Sequence, residues 1–283
     1  MGNKHTRAEL LARAEQILAA VPTPQPRAEA EFLLAWTLGL TRTRVLAFAQ
    51  EPVSEEDAQR FFALAERKKR GEPVAYITGE TEFCGLTLRS DARALAPRPE
   101  TEELAQYCAN LFERGADPDI LDLCTGSGCI ALALAAKFPR ARVTAADLSE
   151  DALALAAENA RLTKLQERVR LLQSDLFENI SGAFDLIVSN PPYIAAEELP
   201  GLSAEVQREP KLALDGGVDG LDVIRRIVAC AADYLNPHGT LALEIGAGEA
   251  PAVCALFDAH TWEGGIKKDF AGVDRFVFAR RKF

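Results

Sequence analysis

Alternation of short apolar segments with helical stretches is the sequence feature that most constrains the fold. The strand candidates are residues 119–124, 142–147, 168–172, 184–189, 239–245 and 274–280. Helical stretches lie between most of them, at 128–137, 150–163, 219–234 and 249–257. This alternation predicts a mainly parallel, twisted sheet with helices on both faces. Ligands of such sheets bind outside the carboxyl ends of the strands, so polar residues at strand ends are site candidates.

The residues before this region have helical patterns. Apolar residues recur at helical spacing in residues 6–20, a proline-rich break follows, and the pattern resumes at 27–38. Ser54 with Asp57 is typical of an N-cap and opens a third helix that ends near Arg70. The basic cluster at its end, Arg67, Lys68, Lys69 and Arg70, has two interpretations: a solvated helix end or a contact with an acidic partner.

Residues 71–97 change in character and separate the two regions. They are rich in β-branched and aromatic residues, with Gly79 and Gly85 as turn residues, which indicates a β-hairpin connector. We therefore predict a small all-helical domain at 1–70, a hairpin connector at 71–97 and an α/β domain at 98–283.

Charge and composition exclude several classes of protein. Residues 1–90 carry 12 basic and 12 acidic side chains, whereas residues 91–283 carry 20 and 30, which disfavours a nonspecific grip on nucleic acid. No run of eighteen apolar residues occurs, and the N-terminus lacks the apolar core of an export signal, so we expect a cytoplasmic protein. The six cysteines and three histidines lack metal-ligand spacing, and we predict no metal site.

The first candidate site is a glycine-rich turn between a buried strand and a helix. Gly126 and Gly128 allow a tight turn and a close approach of the backbone to a ligand. Acidic residues stand at three successive strand ends: Asp122, Asp147 and Asp175. Asp147 is placed to accept hydrogen bonds from ribose hydroxyls, and Asp175 from an adenine amino group.

Two cofactors are compatible with this pattern. Gly126, Gly128 and Ala131 match a loose dinucleotide fingerprint, which is a weak signal without further support. The alternative is S-adenosylmethionine, whose sites carry an acid at the end of the first strand, where this chain has Asp122.

The second candidate site is the segment Asn190-Pro191-Pro192-Tyr193 at the end of the strand 184–189. The prolines stiffen the loop, while their carbonyls remain acceptors. Together with the side-chain oxygen of Asn190 and the ring of Tyr193, they predict a pocket for a planar NH₂ group. Acceptors on both N–H bonds would direct the nitrogen lone pair towards a methyl donor, so catalysis would rest on positioning and electrostatics.

Several longer segments resemble the release factor glutamine methyltransferases of the HemK/PrmC type. They include EPVAYITGETEFCGL, APRPETEEL, DLCTGSGCIALALA, ADLSEDALALAAENA, FDLIVSNPPYI and REPKLALDGGVDGLD, and they span most of the chain. The resemblance implies a Rossmann-like S-adenosylmethionine-dependent methyltransferase domain preceded by a helical substrate-recognition domain. It implies methylation of the side-chain amide nitrogen, N5, of the glutamine in the Gly-Gly-Gln motif of class 1 peptide chain release factors, which modulates translation termination.

The resemblance also implies roles for individual residues. Asn190, Pro191 and Tyr193 would be catalytic, and the same three residues with Pro192 would bind the substrate glutamine. The cofactor-binding set would be Asp122, Cys124, Thr125, Gly126, Ser127, Gly128, Asp147, Asp175, Leu176 and Asn190. Arg98, Pro99 and Glu100 would cover the cofactor. Cys124 departs from the glycine that methyltransferases often have there.

Three other functions stay open at this point. An adenine-N6 methyltransferase also uses Asn-Pro-Pro-Tyr, but it needs a basic surface that binds nucleic acid. The excess of acidic side chains in residues 91–283 disfavours such a surface. A nicotinamide dehydrogenase rests on the loose glycine match and leaves the Asn-Pro-Pro-Tyr segment unexplained. A noncatalytic cofactor-binding module would be expected to have lost residues of the Asn-Pro-Pro-Tyr segment, which is intact here. We expect a monomer that acts on a protein, with no direct contact to nucleic acid or membrane.

Overall fold

A computed structural model describes residues 5–21 and 25–283 of the chain. It divides into two compact units: Met1–Gly79 with Leu202–Arg208, and Glu80–Gly201 with Glu209–Phe283. Among the helices of the described residues, none has the length and apolar character needed to cross a membrane.

The first unit is built from helices. Thr6 caps the first one through a reciprocal capping box with Glu9, and Ser54 caps the fourth by accepting from the amide of Asp57. Gly39 ends the second in the left-handed conformation. The helices are α1 (Arg7–Leu18), α2 (Pro26–Leu38), α3 (Arg42–Ala47), α4 (Glu55–Lys69) and α5 (Val74–Thr78). Their apolar faces form one core that includes Leu11, Leu33, Leu34, Val45 and Phe61.

The basic cluster at the end of α4 is not a uniformly solvated helix end. Lys68 is buried and forms ion pairs with Glu29, at 3.2 Å, and with Glu205. Arg67 forms an ion pair with Glu72. Lys69 lies 3.9 Å from Glu66, so three of the four cations form ion pairs inside the unit. The buried ammonium group of Lys68 needs such charged partners.

The second unit begins with an antiparallel hairpin of β1 (Glu80–Phe83) and β2 (Leu86–Arg89). Residues 74–78, which we predicted as part of a hairpin connector, form helix α5 instead. Pro73 precedes this helix and Gly79 ends it in the left-handed conformation, so local capping outweighs the β-branched composition of this segment.

The rest of the second unit is a seven-stranded sheet flanked by helices. The strands are β3 (Asp119–Leu123), β4 (Arg142–Asp147), β5 (Val169–Gln173), β6 (Phe184–Ser189), β7 (Leu235–Glu244), β8 (Trp262–Lys268) and β9 (Asp274–Arg281). The helices are α6 (Pro99–Ala109), α7 (Cys129–Lys137), α8 (Glu150–Leu162), α9 (Asp222–Ala231) and α10 (Ala250–Cys254). Short 3-10 turns occupy parts of residues 199–213 and 232–234.

The sheet order is β5-β4-β3-β6-β7-β9-β8. All pairs from β5 to β7 are parallel, and β9 runs antiparallel to both β7 and β8. One apolar layer includes residues of α6, α7 and α8, and the other includes residues of α9 and α10. The predicted fold class, a mainly parallel sheet with helices on both faces and a helical N-terminal region, is confirmed.

The chain order places the switch point of this sheet between β3 and β6. From β3 the chain proceeds outward through β4 and β5, and it then returns to add β6 and β7 on the other side. A crevice at the carboxyl ends of the strands forms at such a point, and it is the usual ligand site of open α/β sheets.

Candidate functional site

A cavity of about 250 Å³ opens at the carboxyl ends of β3, β4 and β6. Two segments cover it, residues 93–98 and residues 210–215. The predicted site residues that line it are Cys124, Thr125, Gly126, Ser127, Asp147, Asp175, Leu176, Asn190 and Pro192. The structure therefore brings most of the first predicted site and half of the second to one cavity, whereas Asp122, Gly128, Pro191 and Tyr193 do not line it.

The turn after β3 runs through the left-handed region of backbone space. Cys124, Gly126 and Gly128 have φ values of +57°, +55° and +81°. A non-glycine residue in this region costs roughly 1–2 kcal/mol, so Cys124 carries a backbone strain that glycine would not. At Gly126 an added Cβ would meet only the Cβ of Ala94, at 3.8 Å, so this backbone faces open space in the cavity.

Asp122 lies beneath this turn rather than in the cavity wall. Its side chain is buried, and its Oδ2 accepts hydrogen bonds from the Thr125 hydroxyl at 2.6 Å and the Ala131 amide at 3.1 Å. Burial raises the pKa of this carboxyl to about 7. We predicted Asp122 in the cofactor-binding set, and the structure instead gives it the support of the turn and of the first turn of α7.

Asp147 ends β4 and reaches the glycine turn directly. Its Oδ2 accepts from the amide of Gly126 at 2.8 Å, and its Oδ1 accepts from the amide of Ser149 at 2.9 Å. Burial raises the pKa of this carboxyl, and the backbone hydrogen bonds oppose that effect. Each carboxylate oxygen has a second acceptor site, so Asp147 can hold the turn and still accept from a ligand.

Asp175 and Leu176 follow β5 at the side of the cavity. Asp175 pairs with Arg226 of α9 at 2.9 Å, and Arg226 also lines the cavity. Leu176 is buried and has a φ of +52°. Arg226 was not among the predicted site residues, because a single arginine on an amphipathic helix does not indicate a site.

Glu209 joins the two covering segments of the cavity. Its buried carboxylate accepts from the amide of Ala96 at 3.1 Å and pairs with the guanidinium of Arg98. Arg98 and Pro210, which follows Glu209, both line the cavity. A charged pair of this kind is costly to break, because the remaining partner would stay buried without compensation.

The Asn-Pro-Pro-Tyr segment follows β6 and contacts two residues that the sequence analysis did not select. The Nδ2 of Asn190 donates to the Thr101 hydroxyl at 2.9 Å, and this hydroxyl donates to Oε2 of Glu244 at 2.8 Å. The Tyr193 hydroxyl lies 3.4 Å from Oε1 of Glu244. Thr101 and Glu244 are both buried, and burial raises the pKa of Glu244 to about 7.

The loop around Gly216 holds the Asn-Pro-Pro-Tyr segment from the other side. The amide of Ile194 donates to Leu214, and the amide of Gly216 donates back to Ile194. An added Cβ at Gly216 would lie 2.8 Å from Cα of Tyr193, so only glycine allows this approach. Tyr193 is thus part of the wall beside the cavity, and burial raises the pKa of its phenol.

The buried carboxyl of Glu244 makes stability depend on pH. The folded chain holds its proton up to about pH 7, whereas the unfolded chain releases it near the ordinary value of 4.5. The free energy of unfolding therefore loses this contribution as pH rises from about 4.5 to about 7, on the order of 3 kcal/mol. Burial also raises the pKa of Asp122, so its carboxyl likewise contributes stability that is lost as pH rises.

We expect Glu244→Gln, which cannot titrate, to gain stability relative to the wild-type chain as pH rises. Urea unfolding of both proteins at pH 5 and pH 8 measures this difference. An equal difference between the two proteins at both pH values would contradict the raised pKa of Glu244.

Family models and known proteins agree with this architecture. The model of the PrmC N-terminal domain matches residues 9–79, and that of the methyltransferase small domain matches residues 104–206. A methyltransferase structure from Pyrococcus furiosus superposes with a TM-score of 0.51 at 22% identity, covering 70% of this chain and 89% of that one. This likeness concerns the fold.

Two relatives are similar over nearly their whole length. The release factor glutamine methyltransferase of Deinococcus radiodurans is 42% identical, over 96% of this chain and 98% of the relative. That of Moorella thermoacetica is 43% identical, over 97% of this chain and 98% of the relative. The resemblance stated from the sequence is thus confirmed: the chain is a methyltransferase and belongs to the release factor glutamine methyltransferase family.

Proposed function

We propose that the protein transfers a methyl group from S-adenosylmethionine to N5 of a glutamine side chain in class 1 peptide chain release factors, within their Gly-Gly-Gln motif. One observation carries the proposal. Asn190 and Pro192, which suit a planar amide, line the same cavity as the glycine turn and Asp147, which suit a nucleoside. The names of the relatives from Deinococcus radiodurans and Moorella thermoacetica support release factors as the substrate class.

The residues of the cavity fit S-adenosylmethionine. The open backbone at Gly126 admits a polar ligand, the spare acceptor sites of Asp147 suit ribose hydroxyls, and Leu148, Leu176 and Leu212 add apolar surface. When bound, the cofactor supplies an electrophilic methyl group. In this proposal Cys124, Thr125 and Ser127 border the cofactor, Gly128 shapes the turn, and Asp175 lies at the adenine.

The substrate amide would be held by acceptors rather than by a base. In this proposal Oδ1 of Asn190 accepts one N–H of the glutamine amide, and a backbone carbonyl of the proline pair accepts the other. Within residues 5–21 and 25–283, no backbone amide donates to the carbonyl oxygens of Pro191 or Pro192. Tyr193 would close the pocket. The amide proton becomes acidic once the nitrogen is methylated, and it leaves to solvent.

We propose that the helical unit recognises the release factor. Phe32 and Trp36, one helical turn apart on α2, are 45% and 36% exposed, and exposed aromatic residues are frequent anchors of protein interfaces. We expect Phe32→Ser with Trp36→Ser to raise KM for the release factor at least about fivefold, since one such anchor is worth about 1 kcal/mol or more.

The affinity of this double variant for the cofactor should stay unchanged. Leu111→Ser is the matched control, since Leu111 is 41% exposed in the second unit. A KM equal to that of the wild-type chain would contradict this role of α2.

A direct comparison of substrates tests the proposed function. We expect transfer of labelled methyl from S-adenosylmethionine to a class 1 release factor, and none to adenine-containing DNA or RNA. Transfer to the nucleic acid alone would favour the adenine-N6 alternative. The monomeric state and the cytoplasmic location stay predictions.

A further inference from the structure

We propose that Thr101 and Glu244 are positioning residues that fix which end of the Asn190 side-chain amide faces the substrate. This inference rests on the proposed function, because the orientation matters only if Asn190 has to accept from a substrate N–H. Neither residue belonged to the predicted site. Both are buried, and Thr101 lies at the cavity wall.

The Thr101 hydroxyl has a single hydrogen to donate. A carboxylate can only accept hydrogen bonds, so ionised Glu244 takes this hydrogen at Oε2, over 2.8 Å. The side of Oγ1 that faces Asn190 then presents lone pairs only. The Asn190 atom at 2.9 Å from it is therefore the NH₂ group, as the structure has it.

The consequence lies at the other end of the amide. With Nδ2 held by Thr101, Oδ1 of Asn190 is left as the acceptor for a second partner. A reversed amide would instead present its own NH₂ group to the NH₂ group of a glutamine. Two donors facing each other lose a hydrogen bond and leave buried polar groups unpaired, which is costly.

The ionisation of Glu244 controls this selection. A protonated Glu244 can donate to Thr101, which frees the Thr101 hydroxyl to donate to Asn190 and allows the reversed amide. The groups facing Glu244 are Thr101 and Glu100 from α6, Cys129 from α7, Tyr193 from the loop after β6 and Arg275 from β9. Glu100 opposes ionisation of Glu244, and Arg275 favours it.

Thr101→Val removes the hydroxyl and nearly preserves the shape of the side chain. We expect kcat with a release factor to fall about 10- to 100-fold, the scale of a misoriented catalytic group, with KM and cofactor affinity unchanged. Thr101→Ser keeps the hydroxyl and should restore turnover to within about threefold. Glu244→Gln cannot titrate, so its kcat should lack the decline that we expect of the wild-type enzyme below about pH 7.

A second readout does not depend on methyl transfer. The side-chain NH₂ signals of Asn190 in the full-length ¹⁵N-labelled protein can be assigned by their absence in Asn190→Ala. We expect these signals to shift with pH, with a midpoint near 7, in the wild-type chain and not in Glu244→Gln.

Absence of that shift in the wild-type chain, or full turnover of Thr101→Val, would overturn the inference. If instead the shift occurs but the wild-type chain methylates no release factor, the proposed function fails while the orienting contact stands.

Discussion

Asn190→Ala is expected to reduce methyl transfer strongly while S-adenosylmethionine still binds. The variant removes the acceptor that would hold the substrate amide, and comparable losses of one preorganised polar group lower kcat by about 10²–10³-fold. The glycine turn and Asp147 do not depend on Asn190, since Asp147 bonds to Gly126 and Ser149. Single-turnover kinetics and titration calorimetry on the same preparation measure both effects.

The matched control for this variant is Asn110→Ala. Asn110 is exposed at the end of α6 and does not line the cavity. It should keep both turnover and affinity. Turnover of Asn190→Ala at the level of the wild-type chain would contradict the assignment of the amide pocket.

Asp147→Ala is expected to have the largest effect on cofactor binding. A lost charged acceptor costs about 1–3 kcal/mol, which weakens the affinity for S-adenosylmethionine roughly 5- to 150-fold. The variant also frees the Gly126 amide, which Asp147 holds at 2.8 Å, so the turn loses a constraint at the same time. We therefore expect the loss at the upper end of this range.

Calorimetric titration with the cofactor measures this loss, with Asp117→Ala as the control. Asp117 is an exposed loop residue outside the cavity. Affinity of Asp147→Ala equal to that of the wild-type chain would show that the cofactor does not use this carboxylate.

The rule that polar residues at strand ends form the site was correct for some residues and wrong for another. It found Asp147 and Asn190, because the carboxyl ends of parallel strands meet at one edge of the sheet. The same rule selected Asp122, which is buried beneath the turn and does not line the cavity. Whether Asp122 is buried or reaches the cavity depends on how α7 packs over the turn after β3. The sequence pattern around Asp122 does not contain this information.

Glu244 and Thr101 were missed for two different reasons. Glu244 ends β7, but the strand predicted at 239–245 placed it inside the strand rather than at its end. Thr101 contacts Asn190 across 89 residues of sequence. Only the packing of α6 onto the sheet creates this contact, and no spacing within the chain predicts it.

The fold was predictable where periodicity and capping agree. The six predicted strands occur, but β8 was missed because its residues, WEGGIKK, contain two glycines and no regular alternation. This strand owes its place to pairing with β9 rather than to its own propensity. Helix α9 is shorter than predicted, because residues 219–221 belong to the loop that precedes it.

The most direct measurement of the central claim is mass spectrometry of a class 1 release factor after incubation with the enzyme and S-adenosylmethionine. The account predicts a mass gain of one methyl group, which fragmentation places on the glutamine of the Gly-Gly-Gln motif, and a gain at least about 100-fold slower with Asn190→Ala. A methyl group on another residue, or no gain with the wild-type enzyme, would contradict the account.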